Sequence, residues 1–376
     1  MIRDGISADG LFTLKADDWK VHRRFVSPTI NQPSVSMHLS VFNENIRKIV
    51  LSLSENSEYF DILPSITTCK LTMFVEAALG SEWEIEVKQR YLRQFIAIVS
   101  KRSLQLLFHI DAIWNLTKAA IQLKEYNQYG REIFRKTLED KLKNGYDAET
   151  FLGRLLEVSN DNPQFSTEDV FAETATIITG ATDTSSAASA FVALMLAMHP
   201  DQQEKVFKEI VTIMPDKNAN LTQADLVKLE FTELCIKETL RLFPTAQLIG
   251  RVACETIKLS NNIEVPLNVT LVFCLRQIHI QEKYYGPTAH KFDPYRFLDK
   301  NFKNLPDAAY MPFSYGPRNC IGYHYAKVSV KCFIAHLIRN YRVSTTYTDL
   351  DQLQLVQNAS LRLVHKHMIK VEPRTL

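Results

Sequence analysis

The chain is poor in long apolar runs, paired cysteines and net charge. It has no run of eighteen or more apolar residues and no predicted signal peptide after Met1; its most apolar stretch, residues 187–198, is shorter than the roughly 20 residues of a membrane helix. The six cysteines include no C-x-x-C pair and no metal-type spacing, which argues against structural zinc and fits reduced thiols facing the cytosol. A formal net charge of +2 gives no basic field for nucleic acid, and no G-x-G-x-x-G nucleotide loop occurs.

Helical patterns dominate what is present. The chain has 376 residues, 46% of them hydrophobic, so it can bury a large core, and its length alone favours about two domains. No repeat, low-complexity tract or proline-rich linker occurs. Periodicity predicts helices around Trp19 and over residues 41–53, 65–79, 87–110, 114–143, 148–159, 166–198, 200–212, 231–242 and 323–340. Short strands are predicted at 263–265, at 270–273 and near the C-terminus around a turn at Asn358.

The run FSYGPRNCIG, residues 313–322, is the most specific motif. It holds a single cysteine, Cys320, in a setting suited to a thiolate that binds a metal. Gly316 supplies backbone freedom, Arg318 a positive charge and Phe313 an aromatic shield. The alternative is that Cys320 is an ordinary small buried residue.

Two helical segments carry charged or polar residues that need an explanation. In ETLR, Glu238 and Arg241 are spaced i, i+3 and therefore share a helix face, which is common on solvated helices. The segment 166–200 begins with a capping box and is long and apolar, but ITGATDTSS interrupts it. Buried acids and alcohols such as Asp183 and Thr184 are costly unless they are partnered or used; the alternative is that they bond back to the helix or face water.

A basic segment near the start, DDWKVHRRFVSP, places Trp19 and Arg23 four residues apart on one helical face. Taken alone, it is equally consistent with an exposed basic helix. Arg251 and Arg318 can likewise be read as surface cations.

The pattern F-x-x-G-x-R-x-C-x-G over residues 313–322 resembles the heme-ligand signature of the cytochrome P450 family. The resemblance covers the chain from about residue 10 to its end. It implies a mainly α fold with a small β-sheet region, formed as a single domain over residues 1–376 that lacks its N-terminal portion. It also implies heme b (iron protoporphyrin IX) as cofactor, with Cys320 as the axial ligand of the iron.

Family motifs assign roles to further residues. ETLR and the later FDPYRF are similar to the E-x-x-R motif and its partner arginine, so Glu238, Arg241 and Arg296 would form a buried charged triad that needs extra carbonyl acceptors. GATDTS resembles the oxygen-activating motif, in which Thr184 would bond to dioxygen and Asp183 would connect to the proton supply. The residues expected to bind heme are Trp19, Arg23, Arg251, Phe313, Gly316, Arg318 and Gly322.

Two positions depart from the family or one of its branches. Ala181 stands where the oxygen-activating motif usually has glycine, and its methyl group could narrow the groove for dioxygen. Gly180 stands where some fatty-acid hydroxylases esterify heme through a glutamate, so we predict no such link here.

The implied activity is insertion of one oxygen atom from O2 into an apolar small molecule. The implied partners are NADPH–cytochrome P450 reductase and cytochrome b5, with membrane association at the cytosolic face of the endoplasmic reticulum. Two alternatives stay open: a heme-binding remnant without turnover, and a non-heme helical scaffold.

Two surfaces are expected by family position. Ala246, Leu248, Ile249 and the turn near Asn358 would line the substrate pocket, although fatty acids, hormones and xenobiotics all remain possible. A basic face over the thiolate side would steer an acidic electron donor. Its predicted members are Lys20, Arg24, Arg318, Lys327 and Lys331. The alternative is that these residues form an ordinary solvated surface.

Overall fold

The computed structural model describes residues 10–55, 58–84, 106–260, 262–298, 302 and 304–374. The mainly helical fold with small antiparallel sheets confirms the predicted class. Most of the helix predicted over residues 87–110 lies outside the described ranges; within them, Leu106–His109 is a 3-10 turn.

Fourteen α-helices are assigned within the described residues. They are α1 Ala16–Val26, α2 Gln32–Met37, α3 Leu39–Ser52, α4 Leu63–Leu79, α5 Asp111–Asn115, α6 Lys118–Asn144, α7 Phe151–Asp161, α8 Thr167–Met198, α9 Pro200–Ile213, α10 Gln223–Lys228, α11 Glu230–Leu242, α12 Leu275–His279, α13 Glu282–Tyr285 and α14 Tyr323–Asn340.

Nine short strands form antiparallel pairings. They are β1 Phe60–Asp61, β2 Leu248–Val252, β3 Ile257–Lys258, β4 Glu264–Val265, β5 Thr270–Cys274, β6 Tyr341–Ser344, β7 Leu355–Gln357, β8 Leu361–Leu363 and β9 Met368–Pro373. The order β1-β9-β6 gives one three-stranded sheet, and β2–β5, β3–β4 and β7–β8 form pairs. The predictions at β4, β5 and the hairpin around Asn358 are confirmed, whereas β1, β2, β3 and β6 had no predicted counterpart.

Local sequence signals set the main helix boundaries. Ser166 and Asp169 form the predicted capping box at the start of α8. Pro200 opens α9 directly after α8 ends, because proline tolerates the first helical turn but not the interior. The helix predicted over residues 166–198 is confirmed: α8 continues through ITGATDTSS, and its hydroxyl groups bond back to carbonyls one turn earlier, which was the alternative given for them.

Helix α8 lies at the centre of the hydrophobic core. It packs against α4, α11 and α14, and Phe191 stacks on Phe243 with ring centroids 4.8 Å apart. By length and composition α8 could cross a membrane, but 78% of its most apolar window is buried inside the protein. Its apolar character is therefore accounted for by core packing.

A buried lysine lies in this core. Lys70 on α4 is fully buried, and its ammonium group donates to the carbonyl oxygen of Ser329 on α14 at 2.5 Å. Burial lowers the pKa of Lys70 to about 8, because removing the ammonium from water penalises its charged form. The unfolded chain therefore binds more protons than the folded chain between about pH 8 and pH 10.4, so stability should rise with pH across that window.

We expect Lys70→Met to raise the free energy of unfolding at pH 7 by about 1–3 kcal/mol, since lowering the pKa of a lysine to about 8 by burial corresponds to a cost of roughly 3 kcal/mol. The same variant should flatten the rise in stability between pH 8 and pH 10. Urea unfolding at several pH values measures both effects, with the exposed Lys48→Met as control. A loss of stability in Lys70→Met would show that the hydrogen bond of the lysine to Ser329 stabilises the fold by more than the burial of its charge destabilises it.

Candidate active site

The cysteine loop precedes α14 and is shaped by its own backbone. The N–H group of Cys320 donates to the Phe313 carbonyl at 2.9 Å, and that of Asn319 donates to the Gly316 carbonyl at 3.0 Å. Gly316 has a φ of +84°, in the left-handed region that disfavours side chains. The loop thereby turns back on itself and leaves Cys320 accessible on its open side.

The electrostatics of Cys320 combine one opposing and two supporting effects. The surrounding chain raises the pKa of the thiol by desolvation, whereas the N–H group of Gly322 and the positive charge of Arg23 lower it. The prediction that Arg318 supplies this charge is wrong: Arg318 lies over the Trp19 ring, 4.8 Å from its centroid, and donates to the Leu14 carbonyl. The nearby cation comes from α1 rather than from the loop itself.

Three arginines converge on this loop from different elements. Arg23 of α1 donates to the carbonyl and side-chain oxygens of Asn319 at 2.9 and 3.0 Å. Arg251 of β2 donates to the Ser314 hydroxyl at 2.9 Å and to the Tyr315 carbonyl at 3.2 Å. Burial and the neighbouring Arg251 lower the pKa of Arg318.

These guanidinium groups are suited to binding an anion. Within the described parts of the chain, none of the three forms an ion pair with a carboxylate. The site combines one accessible thiol, the indole of Trp19 and three arginines that contact or belong to the cysteine loop. This set of groups fits heme, because a thiolate can bind the iron and the guanidinium groups can bind the propionate carboxylates.

The middle of α8 offers room next to its polar residues. A Cβ atom built on Gly180 meets nothing within 4 Å, so the helix faces open space there. The Thr184 hydroxyl donates to the Gly180 carbonyl at 2.7 Å. Asp183 is buried and forms an ion pair with Arg362 of β8, a partner that the sequence did not reveal.

Glu238, Arg241 and Arg296 meet in the interior. The Glu238 carboxylate accepts two hydrogen bonds from Arg241, both of 2.7 Å, and lies 3.4 Å from Nε of Arg296. The remaining donors of the two guanidinium groups go to backbone carbonyls, as a pair of cations around one buried carboxylate requires. These carbonyls belong to His279, Tyr285, Thr288, Ala289 and Lys291.

Residues that sequence reasoning missed link this triad to the cysteine loop. The His279 carbonyl accepts a hydrogen bond from Arg241. The ring Nε2 of the same residue accepts a second one, of 3.0 Å, from the N–H group of Met311, two residues before Phe313. Burial lowers the pKa of His279 to about 4, so the ring is neutral and can accept. The Tyr285 hydroxyl donates to the Ala309 carbonyl at 2.6 Å. No local motif marks either residue.

The predicted basic face does not form as expected. Lys327 and Lys331 both form ion pairs with Glu233, at 2.7 and 2.9 Å. Lys331 is also buried and donates to the Leu226 carbonyl. The prediction is wrong for Lys331, because its side chain is buried. Lys327 stays partly exposed, and the single charge of Glu233 cannot balance both lysines; Lys20 remains exposed beside Asp17.

Fold and site together define a heme-thiolate protein, and comparisons with known proteins agree. The family model described as "Cytochrome P450" matches residues 3–371. "Probable cytochrome P450 313a4" of Drosophila melanogaster is 28% identical over 97% of this chain and 78% of its own length. "Cytochrome P450 4F11" of Homo sapiens is 28% identical over 91% of this chain and 70% of its own length.

The chain belongs to the cytochrome P450 family. Its enzyme class is therefore monooxygenase, and its cofactor is heme held by a cysteine thiolate.

Proposed function

We propose that this P450 takes electrons from an NADPH-dependent reductase and inserts one oxygen atom into an apolar organic substrate, with Cys320 as the iron ligand. The observation that carries the proposal is the convergence of α1 and β2 on the cysteine loop: Arg23 and Arg251 bond to this loop, Arg318 belongs to it, and Arg23 acts electrostatically on the Cys320 thiol. Heme, when bound, supplies the redox and oxygen-activating chemistry.

The chain's own residues bind, orient and supply protons. Trp19, Arg23, Arg251 and Arg318 would hold the propionate groups, and the N–H group of Gly322 would support the Cys320 thiolate. The triad of Glu238, Arg241 and Arg296 would hold the cysteine loop through His279 and Met311. On α8, Asp183 and Thr184 would deliver protons. The Thr184 hydroxyl would give up its hydrogen bond to the Gly180 carbonyl and donate instead to a ligand in the open space beside Gly180.

An apolar substrate is supported by the β2–β5 pair. Ile249 and Phe273 are partners across this pair and, because side chains alternate along a strand, share the face of Arg251; Phe273 is exposed there and Ile249 is half-buried. Exposed side chains of this kind suit an aliphatic or aromatic ligand and carry little further specificity. Long-chain fatty acids are the first class to test, because the segments DTSS and FDPYRFL resemble the insect and vertebrate branch of the family that includes fatty-acid terminal hydroxylases.

Catalytic function is tested by supplying purified, heme-loaded protein with NADPH, a P450 reductase and a fatty-acid panel, and measuring hydroxylated product. Product that requires both NADPH and reductase supports the proposal. Heme uptake without any product over a broader apolar panel would identify a remnant without turnover. Adding cytochrome b5 to the same assay tests the second expected partner.

Thr184→Ala should lower the product formed per O2 consumed by roughly tenfold or more, because proton delivery by a positioned hydroxyl contributes on this scale. Reduced oxygen should leave as peroxide instead. Oxygen uptake, peroxide and product are measured together. Thr174→Ala is the matched control, since Thr174 makes the same type of backbone bond on the same helix; equal coupling in both variants would remove Thr184 from the mechanism.

An exposed apolar surface supports location at the endoplasmic reticulum membrane. Leu107, Ile110, Ile113, Leu116 and Ile121 are all exposed, and the first four follow each other at three-residue spacing. Such a surface suits the interface of a bilayer, where apolar side chains leave water.

The variant with both Ile110→Glu and Leu116→Glu should bind neutral phosphatidylcholine vesicles roughly tenfold or more weakly, because carboxylates resist entry into lipid. Vesicle co-sedimentation measures this binding. Val227→Glu, at an exposed apolar position on α10, is the control. Equal binding by all three proteins would place the membrane contact elsewhere.

A further inference from the structure

The ion pair between Asp183 and Arg362 joins the central helix to the C-terminal hairpin. Asp183 is 3% exposed, and the Arg362 side chain is 17% exposed. Arg362 lies in β8, opposite Val356 of β7. The hairpin is anchored in turn, because the N–H group of Leu361 donates to the Thr245 carbonyl at 2.8 Å. The pair therefore connects residues 179 positions apart in sequence.

Among the described residues, Arg362 is the cation that pairs with Asp183. His367 packs edge-on against Phe191 of α8, with ring centroids 4.8 Å apart. Burial, and then the charge of Arg362, lower the pKa of His367 to about 3, so its ring is neutral near pH 7 and carries no competing charge.

Polar atoms beside the pair are suited to internal water. Nε of Arg362, Oγ of Ser360 and both ring nitrogens of His367 are buried and have no hydrogen-bond partner among the described residues. Buried polar groups of this kind are the positions at which internal water binds in proteins. The Arg362 side of Asp183 is thus a polar region inside an otherwise apolar core.

We propose that Arg362 is a positioning residue for proton delivery: it holds one carboxylate oxygen of Asp183 and so directs the second oxygen toward internal water and Thr184. This inference rests on the proposed function. The guanidinium group transfers no proton itself, because it stays charged. Asp183 accepts one proton at its free oxygen from internal water, which regains a proton from solvent. Asp183 then passes one proton to the Thr184 hydroxyl, which releases its own proton into the open space beside Gly180, so each group ends with the protons it began with.

The role follows from geometry and charge. An aspartate side chain on a helix can adopt several rotamers, and a guanidinium group fixed in a strand selects one of them. A flexible amine at position 362 would keep the charge but lose part of the planar fork. Methionine would keep a similar volume but lose both the positive charge and the planar donor group, so the buried carboxylate would have no partner.

The test compares Arg362→Met, Arg362→Lys, Asp183→Asn and the double variant Asp183→Asn/Arg362→Met in the heme-loaded protein. Arg362→Met should lower product per O2 consumed roughly 10- to 100-fold and raise the solvent isotope effect on product formation. Arg362→Lys should recover most of this loss. The double variant should be no worse than the poorer single variant, because both act on one relay. Arg342→Met, at the exposed position of β6, is the control.

Urea unfolding of the wild type, Asp183→Asn, Arg362→Met and the double variant gives a readout independent of turnover. The two substitutions should be non-additive by about tenfold in the unfolding equilibrium constant. Non-additive unfolding with wild-type coupling and isotope effect would show a purely structural pair and overturn the proposal, as would additive losses of activity. If Arg362→Met does not fold, Arg362→Gln replaces it with the same expectations. An absence of product in the wild type would instead refute the proposed function, and this inference with it.

Discussion

Cys320→Ser is expected to lower product formation at least about 100-fold, the scale on which a single essential contact is lost. A serine hydroxyl does not replace a thiolate as an iron ligand, because its oxygen is a harder donor that stays protonated near neutral pH. The loop should still fold, since its shape depends on the Gly316 turn and on backbone bonds rather than on sulfur. Turnover with reductase and the visible spectrum measure the loss.

The matched control for this change is Cys254→Ser. Cys254 is also free and exposed, but it lies in the turn that follows β2 rather than in the cysteine loop. Its replacement should leave both the spectrum and the rate unchanged. Equal turnover by the two serine variants would mean that Cys320 is not the ligand.

Glu238→Gln is expected to destabilise the protein by about 3–5 kcal/mol, the cost of breaking a buried ion pair from one side. Arg241 is fully buried, and the Glu238 carboxylate also accepts the N–H group of Asp293 at 3.0 Å. A glutamine offers a single acceptor oxygen and no charge, so a buried guanidinium group loses its counterion. The cysteine loop should loosen with it, because Arg241 bonds to the His279 carbonyl and the ring of that residue holds Met311.

Urea unfolding and the heme retained per chain measure this second effect. Glu230→Gln is the control, since Glu230 is exposed in the first turn of the same helix. Stability within about 0.5 kcal/mol of the wild type, as is usual for surface substitutions, would contradict the role given to the triad.

Local motifs were sufficient to predict much of the fold and the parts of the site. The capping box at Ser166 and the stops at Pro200 and Pro244 set helix boundaries through interactions within a few residues. The i, i+3 spacing of ETLR likewise places Glu238 and Arg241 on one helix face without reference to the rest of the chain.

The rest depends on contacts between distant segments. Arg362 reaches Asp183 across 179 positions, and no pattern near either residue indicates the other. The ion pairs of Lys327 and Lys331 with Glu233 could not be predicted for the same reason, because Glu233 lies on a different helix. The charge beside Cys320 came from Arg23 because helix α1 packs onto the loop, a contact that the spacing of the loop motif does not encode.

The most direct test of the account is the reduced carbon monoxide difference spectrum of the purified wild-type chain after heme loading. We predict the red-shifted band typical of thiolate ligation, retained in Cys254→Ser and absent in Cys320→Ser. A protein that stays colourless, or a thiolate-type band that persists in Cys320→Ser, would contradict the assignment of Cys320 as the heme ligand.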